Sequence, residues 1–465
     1  MTIPSKGAPH AKALRVGLVS LGCAKNRVDS EILLGRLLQD GHELTTDLDS
    51  ADTVIINTCG FIDEAKQESI DTILEFASRK GEGLKKLLVA GCMVNRYGEE
   101  LAKEIPEIDG FLGLDELREV TNLVQIGSRA SAPAPSESRM VFDHHDQRVL
   151  TTSGYAYLKV AEGCNNPCTF CAIPIWRGRF RSRTISSLIA EARTLEATGI
   201  REICLVAQDT TRYGEDLGLG KHGLLRLIEA LLAKTDIPWI RFLYAYPTTL
   251  DSELLALMGT EARFCNYLDI PLQHSHPDIL RSMRRGGSAR RYLAMVDEAR
   301  RLVPGISLRT TFIVGFPGET KTHFEDLLEF VEEARFDHLG AFAYSPEEGT
   351  PAAEETASPS HRVALERRSR LLEVQRPIAL ASRKALVGRD LEVLVEGVCD
   401  ETEHLLQGRH EGMAPGVDGR LLLADGVAAP GELVHARVVE AYADDLIAHI
   451  VSNSKTSRSD ALAAH

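Results

Sequence analysis

From Leu14 the chain alternates short apolar runs with stretches whose apolar residues recur at helical spacing. LRVGLVSLG, TVIINT and KLLVAG are strand-like, while SEILLGRLLQDG and EAKQESIDTILEFASRK between them are amphipathic and helical. Strands alternating with helices in this way predict an open parallel α/β sheet. A polar, Ser-, Pro- and Ala-rich run without period, from Ser128 to Arg148, then reads as a linker. Beyond it lie six further apolar runs, YAYLKVAEG, EICLVAQ, WIRFLYAYP, CNYLDIPLQ, SLRTTFIVGFPG and HLGAFAYSP, each separated from the next by helical material. Six such βα units predict a partial (β/α)6 barrel with its active residues at the carboxyl ends of the strands. After a helix through Arg376, the runs LEVLVEGV, RLLLADGV and ELVHARVVEAYADDLIAHIV predict a small antiparallel β-barrel. The expected class is α/β, with domains at 13–127, 149–380 and 382–451 and a disordered tail, NSKTSRSDALAAH.

Composition bounds this picture. The 465 residues are 44% hydrophobic and 26% charged, ordinary globular material with length enough for two or three cores. No run approaches the roughly 18 apolar residues of a membrane span, and the N-terminal MTIPSKGAPHAKA lacks the apolar core of a signal peptide. The expected location is therefore cytoplasmic, with no membrane partner. Lys plus Arg number 53 against 67 Asp plus Glu, a formal net charge of -14, which disfavours nonspecific adhesion to nucleic acid and favours basic partners.

The cysteines carry the chemistry. Cys164, Cys168 and Cys171 stand as Cys-x3-Cys-x2-Cys just after the first barrel strand. In a reducing compartment such clustering reads as a metal or catalytic site rather than a disulfide, and three thiolates this close imply one shared centre. Four-iron four-sulfur clusters usually take four thiolates, but the next cysteine, Cys204, lies in a strand-like run. One iron would stay open to an exogenous ligand, as the free position of a catalytic zinc does. A zinc knuckle is disfavoured because no His or Cys follows at zinc spacing. Each N-terminal apolar run also ends in a cysteine beside glycine, giving Gly22-Cys23, Cys59-Gly60 and Gly91-Cys92 at strand ends where open parallel sheets bind ligands. Periodicity alone leaves two readings open there: a second three-thiolate centre, or three buried structural cysteines.

Other groups at the predicted strand ends are candidate contacts: Gln208 and Asp209, Tyr246 and Pro247, Gln273 and His274, and Gly315 to Glu319. GFPGE lacks the Lys-Ser/Thr of a phosphate loop and reads as a tight turn. His274 and His276, before Pro277 at a helix start, read as structural, and His144-His145 in the linker as solvated. Arg177, Arg179, Arg181 and Arg183 alternate just after the cysteine loop, either as a solvated turn or as bidentate carboxylate ligands.

The Cys-x3-Cys-x2-Cys spacing with Phe170 before the third cysteine resembles the radical S-adenosylmethionine (AdoMet) signature. That resemblance implies a four-iron four-sulfur cluster on Cys164, Cys168 and Cys171 whose open iron chelates AdoMet, with reductive cleavage to a 5'-deoxyadenosyl radical. With the strand-end positions and the guanidinium argument above, Phe170, Gln208, Asp209, Arg177 and Gly315 are the expected cofactor contacts. SLGCAKNRVDSE, INTCGFIDEAKQESI and GCMVNRYGEEL resemble the three cysteine segments of the methylthiotransferase N-terminal domain. They imply an auxiliary four-iron four-sulfur cluster on Cys23, Cys59 and Cys92 that delivers sulfur. Gly408-Arg409, Ala414-Pro415 and Val417-Asp418-Gly419 are similar to the TRAM domain, an OB-like module that often binds RNA, although HEGM departs from its pattern.

The chain thus resembles the radical AdoMet methylthiotransferases along nearly its whole length. AKNRVDSE, CGFIDEAKQESID, RFLYAYP and DIPLQH favour the branch acting on the β-carbon of an aspartyl residue in small-subunit ribosomal protein S twelve, free or in the ribosome. The rivals are the branch that methylthiolates an adenosine of transfer RNA, and a non-catalytic iron-sulfur redox sensor. The resemblance further implies a second AdoMet as methyl source and a reductant such as flavodoxin or ferredoxin. No stable RNA binding is expected.

Overall fold

The computed structural model describes residues 13–126, 141–356 and 359–453. The chain forms two compact units, one of the described residues up to Thr151 with Ala172–Arg179, the other of Thr152–Cys171 and the described residues from Phe180 on. Among the described residues no helix is long and apolar enough to cross a membrane.

The first unit runs β1 (Arg15–Ser20), α1 (Ala24–Gln39), β2 (Glu43–Leu44), β3 (Thr53–Thr58), α2 (Asp63–Ser78), β4 (Lys86–Gly91), α3 (Cys92–Glu104), β5 (Gly110–Leu112) and α4 (Val120–Ile126). Its five strands are all parallel, in the order β2-β1-β3-β4-β5. Every residue of β3 is buried, as a strand covered by helices on both faces requires. Val54, Ile56, Leu87 and Val89 form a core with Ile73, Phe76, Met93 and Leu101. Because β1, β3 and β4 are neighbours, the three cysteine-bearing loops leave the sheet side by side. The predicted linker is in part not one. Residues 127–140 lie outside the described residues, but the segment from Val141 packs on α1. Asp146 accepts from Arg36 and Arg118 at 2.7 Å each, Arg148 pairs with Glu31 at 2.5 Å, and a Cβ on Gly35 would lie 2.2 Å from the Gln147 carbonyl oxygen. Ion pairs and the buried Phe142 ring hold it, and the rest of the segment is polar enough to have a free linker's composition.

The second unit opens with β6 (Tyr155–Lys159) and β7 (Ala161–Glu162); the single turn α5 (Ile173–Trp176) then falls in the first unit. It continues with β8 (Arg181–Ser182), α6 (Ile185–Ala197), β9 (Glu202–Val206), α7 (Gly223–Lys234), β10 (Trp239–Phe242), α8 (Ser252–Thr260) and β11 (Tyr267–Asp269). The barrel is completed by α9 (Pro277–Ser282), α10 (Ala289–Leu302), β12 (Ser307–Val314), α11 (Lys321–Ala334) and β13 (His338–Ala343). Strands β6, β9 and β10 are parallel, as are β11, β12 and β13, and the bonds Cys265 N to Ile240 O (2.9 Å) and Ala245 N to Asp269 O (2.9 Å) carry β10 to β11. The partial six-stranded barrel follows.

Helix α12 (His361–Lys384) passes through Pro377, eight residues beyond the predicted end at Arg376. A proline costs one helical hydrogen bond, but Leu371, Gln375, Ile378, Ala379 and Arg383 bury one continuous face across it. The remaining strands, β14 (Asp390–Cys399), β15 (Thr402–His410), β16 (Leu421–Asp425), β17 (Leu433–Ala441) and β18 (Leu446–Asn453), close a barrel. It is antiparallel except where β16 pairs parallel with β18. The loop between β15 and β16 turns towards the amino ends of the larger barrel's strands. Arg409 donates to Glu202 and Glu396 at 2.7 Å each, Tyr267 donates to Asp418 at 2.7 Å, and Tyr157 to the Pro415 carbonyl at 2.6 Å. Of the residues that carry the TRAM pattern, Arg409, Asp418 and the Pro415 carbonyl thus face into this unit, while Val417 is exposed.

Candidate functional site

Cys23 caps α1, Cys59 follows β3 and Cys92 opens α3, so all three stand at the carboxyl edge of one sheet. Glycine makes the approach possible. Gly22 has φ +86, and a Cβ there would lie 2.8 Å from Cys59 Cβ and 3.1 Å from its sulfur. Two buried asparagines tie the loops together: Asn26 Nδ2 donates to the Leu21 (2.7 Å) and Thr58 (3.2 Å) carbonyls, and Asn57 Nδ2 to Asn26 O (2.9 Å) and Ser30 Oγ (2.8 Å). Burial, then the neighbouring Cys92 and Cys23, pushes the Cys59 thiol up to about 12. Burial also raises Cys92, with Arg177 opposing. At Cys23 burial is outweighed by the Lys25 and Arg177 charges and by two backbone N–H groups at the helix start, and the thiol is lowered. Three half-buried sulfurs competing for negative charge at one sheet edge suit a multivalent cationic centre, so the trio fits a three-thiolate cluster. If this trio holds iron, Gly22→Ala should lower the amount retained by roughly half or more, because positive φ and the sulfur contact both oppose a Cβ. Iron analysis of a chain lacking the other three site cysteines measures it.

The second trio, Cys164, Cys168 and Cys171, lies in the loop after β7, and its anchors come from several strand ends. Asn166 Nδ2 donates to Asp209 at 2.7 Å, Thr169 Oγ1 to the Ser282 carbonyl at 2.8 Å, and Ala352 N to the Thr169 carbonyl at 3.0 Å. Arg285 donates to Cys168 Sγ at 3.4 Å, its guanidinium 4.3 Å from the centre of the Tyr246 ring. Burial pushes Cys164 up to about 11, with the Asn166 N–H opposing and the Asp209 charge adding.

The expected contact residues fall in varied surroundings. Gln208 donates to Glu162 at 2.9 Å, and its Oε1, like Asn166 Oδ1 and Ser275 Oγ, is buried without a hydrogen-bond partner among the described residues. Such atoms fit a polar ligand. Asp209 is buried, with its carboxyl raised by burial, and its oxygens serve Asn166, Thr211 and Arg212. Phe170 meets Phe316 edge-on at 6.4 Å, in a cluster with Met283 and Tyr344. Gly315 has φ +77 and donates to Glu319 at 2.7 Å, in a tight turn where a Cβ would lie 2.3 Å from Ala364 Cβ. Tyr244 and Gln273, non-glycine residues at positive φ, hold strain at the ends of β10 and β11. Among the four arginines, Arg183 is buried against Glu191 at 2.6 Å, while Arg177 lies in the first unit against Cys92 and Asp29. His276 caps α9, and burial, then the charges of His276 and His323, holds His274 down to about 3. His144 and His145 are exposed. Sequence reasoning passed over Asn26, Asn57, Asn166 and Arg285. The three asparagines lie within three residues of a site cysteine, where a carboxamide is a usable signal.

A parallel sheet with one thiolate trio at its edge, and a partial barrel with another in the loop after its first strand, define an iron-sulfur radical AdoMet enzyme. Residues 158–331 match the Radical SAM superfamily, 15–113 match "Uncharacterized protein family UPF0004", and 387–451 match the TRAM domain. Curated relatives named ribosomal protein uS12 methylthiotransferase RimO include one from Anaeromyxobacter sp. (strain K), 47% identical over 95% of this chain and 94% of that one. Another, from Geobacter sulfurreducens, is 46% identical over 94% of this chain and 99% of that one. The chain belongs to the RimO family of radical AdoMet methylthiotransferases, and its cofactors include an iron-sulfur cluster and AdoMet. The radical AdoMet methyltransferase TsrM from Kitasatospora setae, solved with cobalamin and a four-iron four-sulfur cluster, shares the fold with a TM-score of 0.55 at 16% identity, over 73% of this chain and 77% of that one.

Proposed function

We propose that the chain methylthiolates the β-carbon of an aspartyl residue in ribosomal protein uS12. In this reading Cys164, Cys168 and Cys171 hold the cluster that binds AdoMet, and Cys23, Cys59 and Cys92 hold an auxiliary cluster. The observation that carries it is the separation of six thiols into two trios, one in each compact unit. When bound, the two centres and AdoMet supply the electron, the radical and the sulfur. The chain's own groups position them. Asp209 holds the cysteine loop through Asn166, Arg285 places a positive charge on Cys168, and Gln208 and Asn166 offer acceptors to AdoMet. A cytoplasmic location and a reductant such as flavodoxin or ferredoxin complete the reading.

Charge supports a protein substrate. From Ser382 to Val451 there are 6 Lys plus Arg and 13 Asp plus Glu. Arg383 and Arg409 are buried, Arg420 pairs with Glu401 and Arg437 with Asp390, which leaves Lys384 and Arg389 exposed outside these pairs. A transfer RNA grip needs a basic face and loses affinity steeply with salt. An acidic face instead speeds encounter with a basic ribosomal protein. Reversing exposed Asp400, Glu401 and Glu403 to Lys should therefore slow uS12 modification several-fold at low salt and little at high salt. Equal rates, with tight transfer RNA binding and modification by the unaltered chain, would favour the RNA branch.

A further inference from the structure

We infer that Arg177 is a positioning residue for the auxiliary centre, donating a hydrogen bond from its guanidinium to the Cys92 sulfur and so raising the reduction potential of the cluster held there. This rests on the proposal that Cys23, Cys59 and Cys92 bind a cluster. The guanidinium is only 2% exposed, with Nη2 3.2 Å from Cys92 Sγ and 3.4 Å from a carboxylate oxygen of Asp29, itself 1% exposed. A buried cation is strongly unfavourable unless its charge and its N–H groups are satisfied. Here a carboxylate and a sulfur share one nitrogen, so the sulfur belongs to the group's own pairing and is not an incidental neighbour.

The turn that carries Arg177 is fixed against the same sheet edge. Arg177 N donates to the Ile173 carbonyl at 2.8 Å, closing α5, whose Trp176 ring lies 4.1 Å from the Arg96 guanidinium. Arg96 in turn donates to the carbonyl of Gly60 at 2.9 Å, beside Cys59. The guanidinium acts on all three thiols, favouring the charged form of Cys23, Cys59 and Cys92. A hydrogen bond to a ligating sulfur and a nearby positive charge both stabilise the more negative, reduced state of a cluster, which raises its potential. Arg177 is also only six residues past Cys171. One short segment therefore supplies the last thiolate of one trio and the guanidinium that touches the other.

The test uses the full chain with Cys164, Cys168 and Cys171 changed to Ala, so that any cluster signal is the auxiliary one. Redox titration followed by electron paramagnetic resonance compares this parent with Arg177→Gln and Arg177→Lys. The expected result is retained iron in both, a midpoint moved to more negative potential with altered g values in the Gln variant, and a smaller move of the same sign in the Lys variant. Lys keeps Asp29 paired, so it is read alone if the Gln variant does not fold. An unmoved midpoint and unchanged spectrum in every folded variant would overturn the inference. So would loss of iron from both, which would make Arg177 a part of the scaffold only. A parent without iron would instead overturn the cluster reading of Cys23, Cys59 and Cys92.

Discussion

Changing Cys164, Cys168 and Cys171 together to Ala should remove about half of the iron, from roughly eight atoms per chain to roughly four, and abolish cleavage of AdoMet. The two trios lie in separate compact units, each with its own anchors. Asn166, Thr169 and Arg285 hold the loop that is lost, while Asn26, Asn57 and Gly22 hold the trio that remains. Removing one set of ligands therefore leaves the other intact. Iron analysis and chromatography of 5'-deoxyadenosine, with a strong reductant present, read the two effects, and Cys168→Ala alone should already stop the cleavage. Loss of all iron would refute independent sites. A redox sensor would release no 5'-deoxyadenosine even as the unaltered chain.

Glu202→Ala carries the largest expected effect on stability, a loss of about 3–5 kcal/mol. The Glu202 side chain is fully buried, with one oxygen accepting from Arg241 and the other from Arg409 at 2.7 Å. Truncation removes the buried carboxylate that Arg241 and Arg409 share, leaving Arg241 without a carboxylate partner and Arg409 with Glu396 alone, at the junction of the larger barrel with the TRAM loop, so barrel and loop should lose stability in one transition. Denaturant unfolding measures this. The pH dependence has a definite sign. Burial would raise the Glu202 carboxyl, but Arg241 and Arg409 outweigh it and the folded value lies below the ordinary one. Its contribution is thus present above the unfolded glutamate value of about 4.3 and fades as pH falls through the lower folded value. The difference between the two chains should narrow only in that acid range. A loss under about 1 kcal/mol at neutral pH would show the junction to be solvated, as surface pairs are.

Much of this architecture was legible in the chain. Fully buried β3 and the run forming β4 read as strands because a parallel sheet needs continuous apolar runs; Cys164, Cys168 and Cys171 stood out by their spacing, whereas Cys23, Cys59 and Cys92, far apart in sequence, could be placed only at strand ends with two readings open. Strands β2 and β5, two and three residues long, are too short for any period. Pro377 masked the continuation of α12, since the buried face that outweighs it comes from tertiary packing. The segment from Val141 looked like linker because its partners, Arg36, Arg118 and Glu31, are distant in sequence. Arg177 read as a solvated turn or an AdoMet contact, and its neighbour Cys92 was invisible in the sequence because it lies 85 positions earlier. The TRAM pattern, read alone, suggests an RNA face; Arg409 and Asp418 spend it on Glu202, Tyr267 and Arg309.

The most direct test of the proposed function is mass spectrometry of ribosomal protein uS12 from cells that lack this chain, compared with the same cells carrying it again. The account predicts that one aspartyl residue loses the mass of a methylthio group replacing hydrogen, and that the unaltered chain restores it while Cys59→Ala does not. Full modification of uS12 in its absence, with loss of a methylthio group from transfer RNA instead, would contradict it.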